Sequence, residues 1–110
     1  MLRELVMLFL VPGAVWADAW RALEGAEIAG LLTDQTLIYE NATQQFFASG
    51  RTLYDAGQDS WGYWAVRGEQ YCSQWPPGDR WDCYDMAAME GRVRFIGADG
   101  SVTDGVFADK

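Results

Sequence analysis

The sequence predicts a mainly β domain, an antiparallel up-and-down meander of about eight strands that closes, or nearly closes, into a small barrel, with a short N-terminal helix. Two observations predict this fold. From residue 36 onward, short segments rich in β-branched and aromatic residues recur at about 8–12-residue spacing, separated by turn residues. No helical segment separates those strands, which disfavours a parallel α/β sheet. Closure into a barrel would remove the exposed sheet edges.

The helix is predicted within residues 18–32. Apolar side chains there fall near the 3–4-residue repeat of one helix face, and residues 23–32 carry the better half of the pattern. Gly25 and Gly30 weaken it, so we expect one or two short turns. Such a segment can plug one end of a barrel.

The strands follow in order, each bounded by turn residues. Residues 61–67 form the strongest one, and a tight turn at Gly68-Glu69 leads into the next. The Pro76-Pro77 pair then breaks the chain before the sheet resumes at Trp81. The predicted strands are residues 36–40, 44–49, 51–55, 61–67, 70–75, 81–88, 92–96 and 102–107.

Residues 1–17 have the three parts of a secretory signal peptide. Arg3 supplies the basic start, an apolar run follows, and Val15 and Ala17 occupy the positions that a signal peptidase reads. The run is shorter than the roughly 20 residues of a membrane span. Glu4 departs from the pattern, and a buried N-terminal helix is the alternative. We expect cleavage after Ala17, a single domain over residues 18–110, and a periplasmic or secreted location.

Composition narrows the function classes. The chain of 110 residues carries a formal net charge of −8, half of its residues are hydrophobic and 15% are aromatic. This is not the composition of a disordered segment. So acidic a chain is a poor binder of nucleic acid and of anionic membranes. A cationic partner, or charge that serves solubility alone, is compatible with it.

The two cysteines, Cys72 and Cys83, predict a structural disulfide. Cysteines of exported proteins tend to pair. The ten intervening residues, with the Pro-Pro turn among them, can bring the two cysteines opposite each other on neighbouring strands. Catalytic dithiols are usually two residues apart and supported by a helix N-terminus, which this hairpin does not offer.

The aromatic residues around this hairpin have two interpretations. They fill the core, as a barrel this small requires, or they form an exposed rim that contacts a ligand or partner. Alternation leaves open whether Trp64 and Val66, or Tyr63 and Ala65, face the core. The candidate contact residues are Trp61, Tyr63, Trp75, Pro76, Pro77, Trp81 and Tyr84.

Most catalytic and cofactor chemistry is disfavoured. The chain has no histidine, which excludes Ser-His-Asp and Cys-His arrangements and histidine-bound metals. Its one lysine is Lys110, which disfavours a Ser-Lys dyad or a Schiff base. We therefore expect no catalytic residue, no metal and no cofactor.

Carboxylates are the chemistry that remains. Asp79, Asp82 and Asp85 could serve a small hydrolase, but strand alternation places Asp82 and Asp85 on opposite faces. Residues 55–59 and 99–104 could be considered for calcium. They lack the ligand density of an EF-hand loop, so we interpret them as polar turns.

The cysteine and tryptophan spacing resembles a group of small exported proteins of proteobacteria, most of them uncharacterised. The similarity spans residues 31–107. By general shape alone, the predicted barrel is similar to calycin-type barrels, including lipocalins and single-disulfide periplasmic protease inhibitors, but the lipocalin Gly-x-Trp near the mature start is missing. The motif is Gly62-x-Trp64-x-Val66-x-Gly68-x-x-Tyr71-Cys72-x-x-Trp75-Pro76, then Cys83-Tyr84, Gly91 and Asp99-Gly100.

The sequence therefore predicts an exported, non-enzymatic binding protein that contacts a partner protein or a small apolar ligand through an aromatic rim. A small carboxylate-dependent hydrolase and a protease-inhibitor-like protein are the alternatives. A hollow barrel would favour the small ligand. A filled barrel with Trp75 and Trp81 exposed would favour the protein partner.

Overall fold

Eight antiparallel strands close into a barrel in the computed structural model, which describes residues 19–108. A short ninth strand and one α-helix accompany them in that range. The predicted signal peptide and the C-terminal Asp109-Lys110 lie outside the described residues. The elements are β1 (Arg21–Ala22), α1 (Gly25–Leu32), β2 (Gln35–Ile38), β3 (Thr43–Phe46), β4 (Arg51–Asp55), β5 (Asp59–Arg67), β6 (Gln70–Gln74), β7 (Trp81–Met89), β8 (Arg92–Ile96) and β9 (Val102–Phe107).

Closure comes from the last strand. Each strand from β2 to β9 pairs with the next one, and β9 returns to β2 with Val106 opposite Ile38 and Phe107 opposite Leu37. The predicted closed meander is confirmed. The sequence pattern missed β1, which pairs with the end of β7, because a two-residue strand shows no alternation.

Helix α1 plugs one end of the barrel, which we call the closed end. Ile28 and Leu32 are fully buried against the core. The backbone N–H of Gly25 donates to the Glu69 carboxylate at 2.5 Å, which ties the helix start to the turn between β5 and β6. The helix occupies only the second half of the predicted segment, because the chain before it runs extended and Leu23 donates a backbone hydrogen bond to Met86 at 2.9 Å.

The opposite end, which we call the open end, is formed by the loops at residues 39–42, 56–58, 75–80 and 97–101. Between the two ends, β5 shows how the sheet is oriented. Trp64 points inward, is 8% exposed, and packs edge to face against Phe46 at 5.6 Å between ring centroids. Trp61 and Tyr63 are exposed on the outer face. The sequence did not decide which face of β5 points into the barrel. In the structure it is the face with Trp64 and Val66.

The Cys72–Cys83 disulfide is present as predicted and joins directly opposed residues of β6 and β7, with 4.0 Å between the Cα atoms. It lies on the outer face of the barrel. Arg67 and Trp81 lie on the same outer face, one on each side of the disulfide along the strands. The Arg67 guanidinium stacks on the Trp81 ring at 4.3 Å. Cys72 is fully buried although it faces outward.

A stable disulfide is compatible with an exported protein. In the described part of the chain, no helix combines the length and the apolarity that crossing a bilayer requires.

Replacing both cysteines, Cys72→Ala with Cys83→Ala, should lower the free energy of unfolding by about 3 kcal/mol, because the unfolded chain regains the entropy that the cross-link removes. For a domain of this size the midpoint of thermal unfolding should fall on the order of 10 °C or more. Circular dichroism melts measure it. Dithiothreitol should lower the midpoint of the wild type and leave the double variant unchanged. Equal midpoints for the wild type and the variant would show that the disulfide does not stabilise the fold.

Candidate functional site

The open half of the barrel is hollow. A cavity of about 350 Å³ lies there, within the size range of small-molecule pockets. In the closed half, Leu32, Phe46 and Trp64 are buried members of the apolar core. We call the space in the open half the mouth cavity, and its lining residues are Tyr39, Gln44, Tyr54, Tyr71, Ser73, Trp75, Tyr84, Phe95 and Thr103.

Aromatic side chains form most of the cavity wall. Neighbouring rings contact one another in tilted or edge-to-face arrangements, with centroids 6.2 Å apart for Tyr39–Tyr54, 6.1 Å for Tyr54–Trp75 and 6.2 Å for Tyr39–Phe95. Tyr71 and Phe95 approach to 5.1 Å. Such contacts add stability beyond simple burial. The wall is therefore a connected set of rings that hold one another in place.

Two glycines make room for these rings. A Cβ atom at Gly62 would lie 2.6 Å from the Trp75 ring, and one at Gly105 would lie 2.9 Å from the Tyr39 ring. Both glycines occupy inward positions on their strands, where close approach of another group requires the missing side chain. The rings of Trp75 and Tyr39 therefore rest against the sheet, and the space between them stays open.

Gln44 holds the polar part of the cavity in place. This side chain is 5% exposed, and its Oε1 accepts a hydrogen bond from the Tyr39 hydroxyl at 2.7 Å. Its Nε2 donates to Thr52 Oγ1 at 2.9 Å and to the Tyr71 hydroxyl at 3.3 Å. Because a buried amide is costly unless it is paired, this network fixes both tyrosine rings.

Ser73 adds a second polar group. It is 4% exposed, and its Oγ accepts a hydrogen bond from Trp75 Nε1 at 3.2 Å. A hydroxyl that accepts one hydrogen bond still has a proton to donate. Ser73 therefore positions the indole of Trp75, and its proton can be donated to the Tyr71 hydroxyl or to a molecule in the cavity.

Three tyrosines of the cavity, Tyr39, Tyr71 and Tyr84, are neutral at physiological pH. Burial raises the pKa of Tyr71 to about 12, although hydrogen bonds from Ser73 and Gln44 partly oppose the shift. Burial also raises the pKa of Tyr39. The pKa of Tyr84 is raised by burial first and then by the nearby carboxylates of Asp82 and Asp99. These phenols can donate and accept hydrogen bonds, but they are poor bases.

The structure divides the residues that the sequence singled out. Trp75 and Tyr84 line the mouth cavity. Pro76 and Pro77 lie in the exposed turn that follows Trp75 and are joined by a cis peptide bond. Trp81 lies on the outer face, because it shares that face of β7 with Cys83.

Trp61 and Tyr63 also lie outside, where they belong to a separate cluster. The Trp61 ring stacks on Phe47 at 5.9 Å, and the Arg51 guanidinium lies 4.5 Å from Trp61 and 5.8 Å from Tyr63. The candidate residues therefore do not form one continuous aromatic rim.

Sequence reasoning missed most of the cavity wall, because its residues come from six strands and from the loops after β2 and β6. One signal was present. Opposed cysteines at 72 and 83 imply that Tyr71 faces Tyr84 one step along the ladder, and the structure places these two rings 6.1 Å apart. The remaining members, Tyr39, Gln44, Tyr54, Ser73, Phe95 and Thr103, depend on closure of the barrel.

The carboxylates are dispersed, as alternation predicts. Asp82 lies on the inward face of β7 opposite Ser73 and binds Arg80 at 3.2 Å, whereas Asp85 faces outward and accepts a hydrogen bond from Gln70 at 3.1 Å. Residues 55–59 and 99–104 contain polar turns in which Asp55 and Asp99 accept backbone hydrogen bonds. Within residues 19–108, no three carboxylate or cysteine side chains are grouped as metal ligands.

Comparison with known proteins found no significant match to a family model, a curated protein or a solved structure. The resemblance to exported proteobacterial proteins and to calycin-type barrels therefore stays an expectation. The chemistry of the mouth cavity is the basis for a functional proposal.

Alkaline pH should destabilise the protein through Tyr71. The unfolded chain loses this phenolic proton near pH 10, whereas the folded protein keeps it until about pH 12. The stabilisation is complete below pH 10 and is lost as the pH rises through 12, by up to about 3 kcal/mol. Urea unfolding at pH 9 and pH 11 measures the slope, and Tyr71→Phe should make it shallower.

Phe95→Leu is the matched control for this measurement. It removes a buried ring of the same cavity without removing an ionisable group, so it should lower stability equally at both pH values. Identical slopes in the wild type and Tyr71→Phe would contradict the assignment.

Proposed function

We propose that this chain is an exported, non-enzymatic binding protein that holds a small, largely apolar molecule in the mouth cavity. One observation carries the proposal: the open half of the barrel is hollow and its wall is aromatic, with a few fixed polar groups. Ligand pockets generally have this composition. A hollow barrel favours a small ligand over a partner protein, the other kind of binding partner that the sequence predicts.

The dimensions and chemistry of the cavity describe the molecule. A volume of about 350 Å³ is at the lower end of ligand pockets, so the ligand is compact. The ring contacts of Tyr54 and Trp75 favour a flat or rounded apolar body. Ser73 and Tyr71 can hydrogen-bond one polar group of that body, which would fix its orientation.

The lining favours binding over hydrolysis. No acidic or basic side chain is among the residues that line the mouth cavity, whereas carboxylate-dependent hydrolysis needs two carboxyl groups beside the substrate. Asp82 and Asp85 project from opposite faces of β7. The predicted signal peptide and the disulfide support export.

Binding can be tested with prodan, a neutral naphthalene dye whose emission shifts to shorter wavelength and rises in apolar surroundings. We expect a saturable shift with the wild-type protein. Thr103→Trp should weaken binding by about tenfold or more, since an indole at this exposed lining position would occupy the cavity.

Val106→Trp is the matched control, because Val106 lies on the same strand, is 40% exposed, points to the outer face and lines neither the mouth cavity nor the groove beside it. It should bind prodan as the wild type does. Absence of saturable binding to the wild type, or equal binding by both tryptophan variants, would show that the mouth cavity is not the binding site.

A further inference from the structure

The surroundings of the mouth cavity indicate a narrower class of ligand. Resting on the proposed binding function, we propose that the cavity selects organic cations of the alkylammonium type, with the charged nitrogen against the faces of the aromatic wall. Three features support this: the aromatic lining of the cavity, the placement of the protein's own cations, and the distribution of charge along the barrel.

The aromatic wall supplies the primary attraction. Tyrosine, tryptophan and phenylalanine rings attract a cation over their faces, and several rings around one space recognise quaternary ammonium groups. The wall offers Tyr39, Tyr54, Trp75, Tyr84 and Phe95 around one compact space.

The protein's own guanidinium groups occupy other rings. Arg51 lies over Trp61 at 4.5 Å and Arg67 over Trp81 at 4.3 Å, both on the outer face. Arg94 lies over Trp20 at 4.2 Å. Across residues 19–108, no arginine stacks on a ring of the mouth cavity. The guanidinium groups of this part of the chain therefore do not compete for the cavity rings.

Charge is unevenly distributed between the two ends. The closed end, including α1, has nearly balanced charges: Arg21, Arg51, Arg67 and Arg92 against Glu24, Glu27, Asp34, Glu69 and Glu90. The open end has one arginine, Arg80, and Arg94 from mid-strand binds Asp104 at 2.8 Å. Its acidic residues are Glu40, Asp55, Asp59, Asp79, Asp82 and Asp99, while Asp104, directly opposite Arg94, and Asp85 lie at mid-strand.

This asymmetry places a negative potential over the entrance. Like charges around a cleft with low-dielectric walls focus the field into the cleft, which concentrates cations and repels anions. Glu40 and Asp104 border a groove that shares Tyr39, Tyr54 and Thr103 with the mouth cavity. Asp82 and Asp99 act on the hydroxyl of Tyr84 inside it. The field of the open end therefore reaches the space where a ligand would lie.

The test compares two ligands of the same shape that differ in charge. Phenyltrimethylammonium and tert-butylbenzene differ by a cationic nitrogen in place of a carbon, and each is titrated against bound prodan. We expect the cation to bind about tenfold or more tightly than its neutral isostere. Benzoate should not displace prodan. Sodium chloride should weaken binding of the cation and leave the affinity for the neutral isostere unchanged.

Variants separate the contribution of the entrance charge. Asp82→Asn with Asp99→Asn should weaken binding of the cation about threefold and leave the affinity for tert-butylbenzene unchanged. The control, Asp34→Asn with Glu90→Gln, removes the same amount of charge at the closed end and should change the affinity for neither ligand.

The outcomes distinguish this inference from the function on which it rests. Equal affinity for the two isosteres, or tighter binding of the neutral one, would overturn the cation preference while cavity-dependent prodan binding still supported a ligand site. Loss of cation affinity in the closed-end control as large as that in the open-end variant would also overturn it. Failure of prodan to bind in the cavity would instead overturn the proposed function.

Discussion

The pairing of β9 with β2 is the interaction on which the rest of the structure depends. It converts a meander into a closed barrel and thereby fixes which side chain of each pair points inward. Gly105 on β9 lies between Tyr39, which follows β2, and Phe95 on β8, and the missing side chain lets those two rings meet at 6.2 Å. The cavity wall is continuous because the sheet closes at this point.

The two ends of the barrel differ in how they are filled. At one end α1 supplies Ile28 and Leu32 to complete an apolar core, so this end stabilises the fold. At the other end no helix of residues 19–108 enters, and the rings of Tyr39 and Trp75 lie against the wall, where Gly62 and Gly105 leave room. One end therefore contributes stability, and the other keeps an aromatic space open to solvent.

Much of the fold could be predicted from the sequence, because strand alternation and turn residues are local signals. The strands at residues 51–55, 92–96 and 102–107 begin and end where the pattern placed them, and the Cys72–Cys83 pair is confirmed. The site could be predicted only in part. Trp75 and Trp81 flank the same turn and lie on opposite faces because of the hairpin register. Which of these faces points into the cavity follows from closure of the barrel, which is a long-range property.

The central claim is that the interior of the open end, and not the aromatic cluster outside, receives the ligand. The most direct measurement is a set of intermolecular nuclear Overhauser effects between the N-methyl protons of phenyltrimethylammonium and the aromatic protons of the wild-type protein. Contacts to Tyr54 and Trp75, which face the mouth cavity, are expected. Contacts to Trp61 or Trp81 on the outer face, with none to the cavity rings, would contradict the claim.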